Sequence, residues 1–326
     1  MRKQRSFIIL ALSAIWIFAV AERLLSFKGT TPTPPSSASS ALTNPQRKRT
    51  QSYGPPVQLA RLQDPSVTES SGIVASRNTP GVYWTHNDSG DGPFIYAFDR
   101  QGKSRGVWRV VGAAAHDWED IAVGPGPTRN RSYLYAGDIG DNSKNRAAIE
   151  IYRFAEPAIT SGDARSTKAR PRATEAAEVI HLRYPDGKHD AETLLVHPVI
   201  GDLFVVTKEL FGRAGVYKAA APLDPSRTVT LVHVGGLNIP SLLGGFVTGG
   251  DISPDGRRVA ICDYAHGYEI VLGEAMAFEA IWKQPIKVIE LGPRKQGEAV
   301  CYRLDGKALL ATSEGAHSPL IEVVRR

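Results

Sequence analysis

Glu119-Asp120-Ile121-Ala122 is one of five related phrases in this chain. The others are Ser71-Gly72-Ile73-Val74, Glu192-Thr193-Leu194-Leu195, Gly250-Asp251-Ile252-Ser253 and Glu298-Ala299-Val300-Cys301. Each sets acidic or small residues ahead of an aliphatic third position, which is followed by more apolar residues. Between the third positions the intervals are 48, 73, 58 and 48 residues. Self-similarity at about 40–50 residues is the signature of propeller blades, small sheets that bury their faces only against one another. The long second interval has a local cause, because Ala155 to Ala177 is an insertion rich in Pro, Ala, Arg and Thr with no apolar alternation.

Outward from each phrase the same order of strands and turns recurs. In the fourth unit Asp251 to Ser253 leads through Pro254-Asp255-Gly256 to Arg258 through Cys262, then Tyr268 to Leu272 and Ile286 to Leu291. The fifth repeats this with Leu304-Asp305-Gly306 as its turn, then Ala308 to Thr312 and Leu320 to Val324. Asp-Gly between apolar runs is a hairpin signal, since Gly supplies the positive φ that the turn requires. The third unit reads as Thr193 to Val196, Leu203 to Thr207, Gly215 to Lys218 and Val229 to Val234. The fifth lacks a fourth strand, and Val57 to Leu62, just ahead of the first unit, supplies one. The expected fold is therefore an all-β propeller of five four-stranded blades closed by an N-terminal strand, which leaves no open edge at the joint. Six blades is the alternative, if the insertion hides another sheet.

The first 56 residues read differently from the rest of the 326. Arg2, Lys3 and Arg5 precede the apolar run Phe7 to Ala21, which ends in Ala19-Val20-Ala21. That order reads as an export signal, and at 15 residues the run is shorter than the roughly 20 that span a bilayer. An uncleaved anchor, the only membrane contact expected, is the alternative. Residues 22–56, rich in Pro, Ser and Thr, read as a linker, and 57–326 as the propeller. The formal charge is +6, of which +7 lies before residue 50, so the remainder is −1. With no basic stripe in the domain, nucleic acid is not an expected partner. Cys262 and Cys301 form no CxxC pair; they are either two buried thiols or, in an exported chain, a disulfide.

Propeller geometry brings two rows of residues to one mouth of the channel. The starts of the innermost strands contribute Glu69, Glu119, Asp120, Glu192, Asp251 and Glu298. The ends of the second strands contribute His86-Asn87-Asp88-Ser89-Gly90-Asp91, Gly137-Asp138-Ile139-Gly140-Asp141-Asn142, Lys208-Glu209, Asp263-Tyr264 and Ser313-Glu314. Carboxylates crowded together raise one another's pKa or require a cation, and oxygen donors suit Ca²⁺ or Mg²⁺. Asp88, Glu119, Asp120, Asp138, Asp141, Asn142, Glu192, Asp251 and Glu298 are the candidate ligands. The alternative for any one of them is a turn residue, or an acid that accepts backbone amides from a neighbouring blade. His86 and Lys208 are the candidate catalytic groups; His116 also flanks the mouth, and Lys208 and Arg146 are placed to meet an anion.

The phrases Glu69-Ser70-Ser71-Gly72-Ile73, Asp117-Trp118-Glu119-Asp120-Ile121-Ala122, Gly137-Asp138-Ile139-Gly140-Asp141-Asn142 with Ile151-Tyr152-Arg153, and Gln296-Gly297-Glu298-Ala299 carry a resemblance. Together they resemble a group of uncharacterised exported bacterial β-propeller proteins, across most of residues 65–316. More distantly the pattern is similar to calcium-dependent phytase-like propellers. That likeness implies Ca²⁺ and a phosphorylated substrate at the acidic mouth.

Three functions are compatible with these residues. One is a metal-dependent hydrolase acting on a small anionic substrate. A second is a glycosidase using paired carboxylates, with Trp84 and Trp118 as sugar platforms. The third is a non-catalytic module that binds a ligand or a protein. The chain is expected to act as an exported monomer.

Overall fold

Runs of β-branched and aromatic residues, each closed by a tight turn, pair into five antiparallel sheets around one channel. The computed structural model describes residues 52–326. The residues read as an export signal and most of those read as a linker lie outside the described residues. From the channel outward, blade 1 is Ser70–Ala75, Val82–Asn87, Phe94–Asp99 and Ser104–Arg109. Blade 2 is Trp118–Pro125, Ser132–Asp138, Ile149–Ala155 and Glu178–Arg183. Blade 3 is Ala191–Val196, Leu203–Thr207, Ala214–Ala219 and Val232–Leu237. Blade 4 is Gly249–Ile252, Arg258–Cys262, Gly267–Val271 and Ile286–Ile289. Blade 5 is Ala299–Tyr302, Ala308–Thr312 and Pro319–Val324, completed by Val57–Arg61.

The closing strand pairs antiparallel with Pro319–Val324, as the sequence led us to expect. Order extends further back than Val57: Gly54 N donates to Val324 O at 2.8 Å, and Arg326 N to Ser52 O at 2.7 Å. Both ends of the described chain are thus tied into one blade, and the ring has no free seam.

Side chains alternate between the two faces of a strand, so each blade packs one set against the preceding blade and the other against the next. Ile73, Tyr96 and Phe98 face blade 5, whereas Val74, Ile95 and Ala97 face blade 2. The buried apolar residues accordingly form five clusters, one per blade interface. First strands are almost wholly buried, which is why their sequences are short apolar runs. The hairpin inside blade 4 turns at Gly256, whose φ of 69° and closeness to the His197 ring leave no room for a side chain.

Two segments depart from the expected strands. The insertion after Ala155 makes no sixth sheet: it forms a single 3-10 turn at Asp163–Arg165, and Arg172–Ala173 then pairs parallel with the outer strand of blade 1. Val229–Thr230, expected in blade 3, instead pairs parallel with the outer strand of blade 2. The outer strand of blade 3 starts only at Val232. In both places a segment entering an outer strand first covers the exposed edge of another blade. Cys262 and Cys301 are free and buried, in different blades.

The channel is closed at the end where the first strands finish. Arg77, just beyond the first strand of blade 1, donates to Val123 O at 3.3 Å and Pro198 O at 3.4 Å, reaching blades 2 and 3. It borders a void of about 20 Å³ lined also by Asp251 and Pro254 of blade 4 and by Tyr302 and Leu304 of blade 5. That space holds about one water molecule.

Candidate metal centre at the channel mouth

The opposite mouth is built from a single repeat position. Two residues before the aliphatic mark stand Ser71, Glu119, Glu192, Gly250 and Glu298. In blades 1 to 3 the ladder skips this residue, with register shifts between Ser70 and Gly72, Trp118 and Asp120, and Ala191 and Thr193. A bulge of this kind re-aims the extra side chain. Glu119 and Glu192 are thereby aimed at the mouth, where Glu298, just ahead of the first strand of blade 5, joins them; all three are buried.

Lys208, following the second strand of blade 3, joins them. Its ammonium pairs with Glu192 and lies 4.7 Å from the Phe246 ring centroid and 5.5 Å from that of Tyr264. Burial disfavours the ammonium, but Glu192 and Glu298 outweigh it and hold Lys208 well above the ordinary lysine range. Glu192 is pushed up to about 7 by burial, against the pull of Lys208. Glu298 is held well above its ordinary value by burial and by Glu192. Gln296 donates to Glu298 Oε1 at 2.9 Å, whereas Oε2 is buried with no donor. That carboxyl lies against Glu314, itself raised to about 7 by burial and then by Asp88 and Glu69.

Beside this group Asp88 from blade 1 meets Asp117 and Glu119 from blade 2, with one carboxylate oxygen of each within 4.8 Å of the others. Burial, then Asp88 and Asp190, raise Asp117 to about 6. Burial, then Glu192, Asp88 and Asp117, hold Glu119 well above the carboxylate range. Gly140 runs alongside: a Cβ there would lie 2.2 Å from Glu119 Oε1 and 2.5 Å from Asp117 Oδ2. Only glycine leaves these two carboxylates their place.

The remaining sequence candidates are placed elsewhere. Asp120 and Asp251, one position further along their strands, turn away from the mouth and accept amides of the next blade. Asp120 Oδ2 takes Leu194 N at 3.0 Å, and Asp251 Oδ2 takes Tyr302 N at 2.9 Å. They are staples between blades 2 and 3 and between blades 4 and 5. Asp141 accepts the amides of Asn145 and Arg146 at 2.8 and 2.7 Å, as a turn residue does. Asp138 accepts Arg146 Nη1 at 2.7 Å and His116 N at 2.9 Å, and Asn142 is exposed. Arg146 is thereby occupied by Asp138 and by Gly140 O at 2.9 Å.

His86 lies beneath the mouth and not in it. It is fully buried, packs edge-on against Trp118 and donates from Nδ1 to Asn87 O at 2.8 Å. Burial lowers its pKa to about 4, so the ring is neutral. Trp84 and Trp118, the platforms a glycosidase would use, are both completely buried. Asp117 and Asp190 were not singled out as ligands from the sequence, because each precedes the repeat phrase instead of belonging to it. Phe246, in the glycine-rich connection before blade 4, carried no signal at all. A larger cleft of about 700 Å³ lies on the perimeter under the insertion, where Arg172 pairs with Asp163 and Arg131 with Glu175.

No protein-family model matches the chain, and no curated protein matches it.

Proposed function

We propose that the mouth holds a divalent cation, Ca²⁺ or Mg²⁺, through Asp88, Asp117 and Glu119, and that the site hydrolyses a small phosphorylated substrate. The observation that carries the reading is the convergence of three carboxylates from two blades around Gly140, with donor oxygens inside 4.8 Å. Three ionised carboxyls at that spacing repel strongly, and a hard cation relieves them. A bound ion of this class polarises a phosphoryl oxygen and lowers the pKa of its water. Lys208 has its charge taken up by Glu192 and Glu298, so its part is to hold those carboxyls in place rather than to meet the anion. An exported chain meets calcium at levels that a site of modest affinity can use.

A second reading has its own support: the three ligands join blade 1 to blade 2, so an ion there also ties two blades of a non-catalytic binding propeller. Calorimetric titration of the full chain with Ca²⁺ and Mg²⁺, repeated on Asp117→Asn, tests the site itself. Absence of binding in the parent removes both readings. Turnover of nitrophenyl phosphate that depends on the bound ion selects the hydrolase. Binding with thermal stabilisation, but no turnover of phosphate or glycoside panels, selects the binding module.

A further inference from the structure

On the same face of blade 2, outside the mouth, His116, Asp138 and Glu150 converge, and His181 stands against Glu150. His116 precedes the first strand, Asp138 ends the second, Glu150 lies on the third and His181 on the fourth. His116 Nδ1 is 3.4 Å from Asp138 Oδ2, and His181 Nδ1 is 3.4 Å from Glu150 Oε1. One donor atom each of His116, Asp138 and Glu150 lies within 4.8 Å of the other two. Donors held at about 2.0–2.1 Å from a tetrahedral zinc ion stand about 3.3–3.5 Å apart. The two nitrogen–oxygen separations already have that value.

The second oxygens of the two carboxylates are held by protein donors. Arg146 Nη1 reaches Asp138 Oδ1 at 2.7 Å, and Tyr152 OH reaches Glu150 Oε2 at 2.7 Å. Asp138 Oδ2 and Glu150 Oε1 are thereby turned towards the imidazoles. Metal sites are supported in this way, with outer hydrogen bonds fixing the orientation of each ligand. The two histidines, at 70% and 42% side-chain exposure, are free to rotate onto an ion arriving from solvent. We propose that this set is a second metal site, distinct from the mouth, which takes one zinc-class ion through two imidazoles and two carboxylates and clips the strands of blade 2 together. Imidazole donors select such an ion over the calcium or magnesium suited to all-oxygen ligands.

Titration of the chelator-stripped full chain with Co²⁺, a spectroscopic substitute for Zn²⁺, tests this. The expected result is one equivalent bound with the intense visible bands of a four-coordinate ion, displaced by Zn²⁺ and unaffected by excess Ca²⁺. His116→Ala and His181→Ala should each weaken Co²⁺ binding at least about tenfold, a loss of about 1.4 kcal/mol. Glu150→Gln, which keeps an oxygen for Tyr152, should weaken it as well if a histidine variant fails to fold. Asp88→Asn should leave it unchanged, which separates this site from the mouth. Co²⁺ spectra showing only weak six-coordinate bands, or histidine variants that bind as the parent does, overturn the proposal and leave two ordinary histidine–carboxylate contacts.

Discussion

The two ends of the channel are made by the same five strands and solve opposite problems. Where the strands finish, one guanidinium reaches carbonyls of blades 2 and 3, and the remaining space holds little more than a water. Where they start, Glu119, Glu192 and Glu298 are buried beside Asp88, Asp117 and Glu314, with Lys208 as the cation among them. The closed end satisfies its polar groups by hydrogen bonds. The open end retains carboxyls whose burial raises their pKa values, and such groups gathered in a cleft mark a candidate functional site.

Removing the cation from the open end is expected to have the largest effect. Lys208→Met leaves Glu192 and Glu298 buried without their partner, and should destabilise the domain by about 3–5 kcal/mol at pH 8 in urea unfolding. The sign follows from Glu192. Its folded pKa, about 7, lies above the unfolded value, so its contribution is full below that unfolded value and lost as pH rises through 7. Without Lys208 the loss grows, so the variant should be closer to the parent at pH 5 than at pH 8. A pH-independent deficit would mean that Lys208 acts through packing alone.

At the closed end, Arg77→Met should cost about 2–3 kcal/mol, since it leaves the carbonyls of Val123 and Pro198 without a charged donor. A change below about 0.5 kcal/mol, the size of an ordinary surface substitution, would show that the plug adds nothing to closure. Gly140→Ala sharpens the contrast by acting on binding. The new methyl displaces the flexible ends of Asp117 and Glu119, so Ca²⁺ affinity measured by calorimetry should fall about tenfold or more, about 1.4 kcal/mol. Stability of the ion-free chain should change less than binding does.

The smallest effect is expected at Asp251, beside the void of the closed end. Burial raises Asp251 to about 7, so the folded chain holds a proton there that the unfolded chain releases at lower pH. Stability contributed by this group is therefore full in acid and lost as pH rises through 7. Asp251→Asn retains an acceptor for Tyr302 N and cannot ionise. The fall in melting temperature between pH 5 and pH 7.5 should be smaller in the variant by about 1–2 °C.

Much of this architecture was legible without coordinates, because propeller blades are local. Val82–Asn87 pairs with strands adjacent in sequence, and its alternation and turns are visible in one short window. The closing strand was legible for a different reason: the fifth unit lacked a strand, and Val57–Arg61 had none of its own to join. The path of Val229–Thr230 was not, since pairing with the edge of another blade depends on where that edge lies in space. At the site, residue type was legible and direction was not. Glu119 and Asp120 are neighbours with the same charge, yet one enters the mouth and the other staples blade 3.

The sequence by itself determined the propeller, the order of its five repeat units and the enrichment of acids at one end of the inner strands, because repeat period, strand alternation and turn residues are written in adjacent positions; that the insertion after Ala155 adds no sixth sheet was decided in space. Only the tertiary structure decided which acids meet. A strand sends successive side chains to opposite faces, so Glu119 enters the mouth while its neighbour Asp120 reaches the backbone of blade 3. Asp88 and Asp117 become partners only once two blades are packed together.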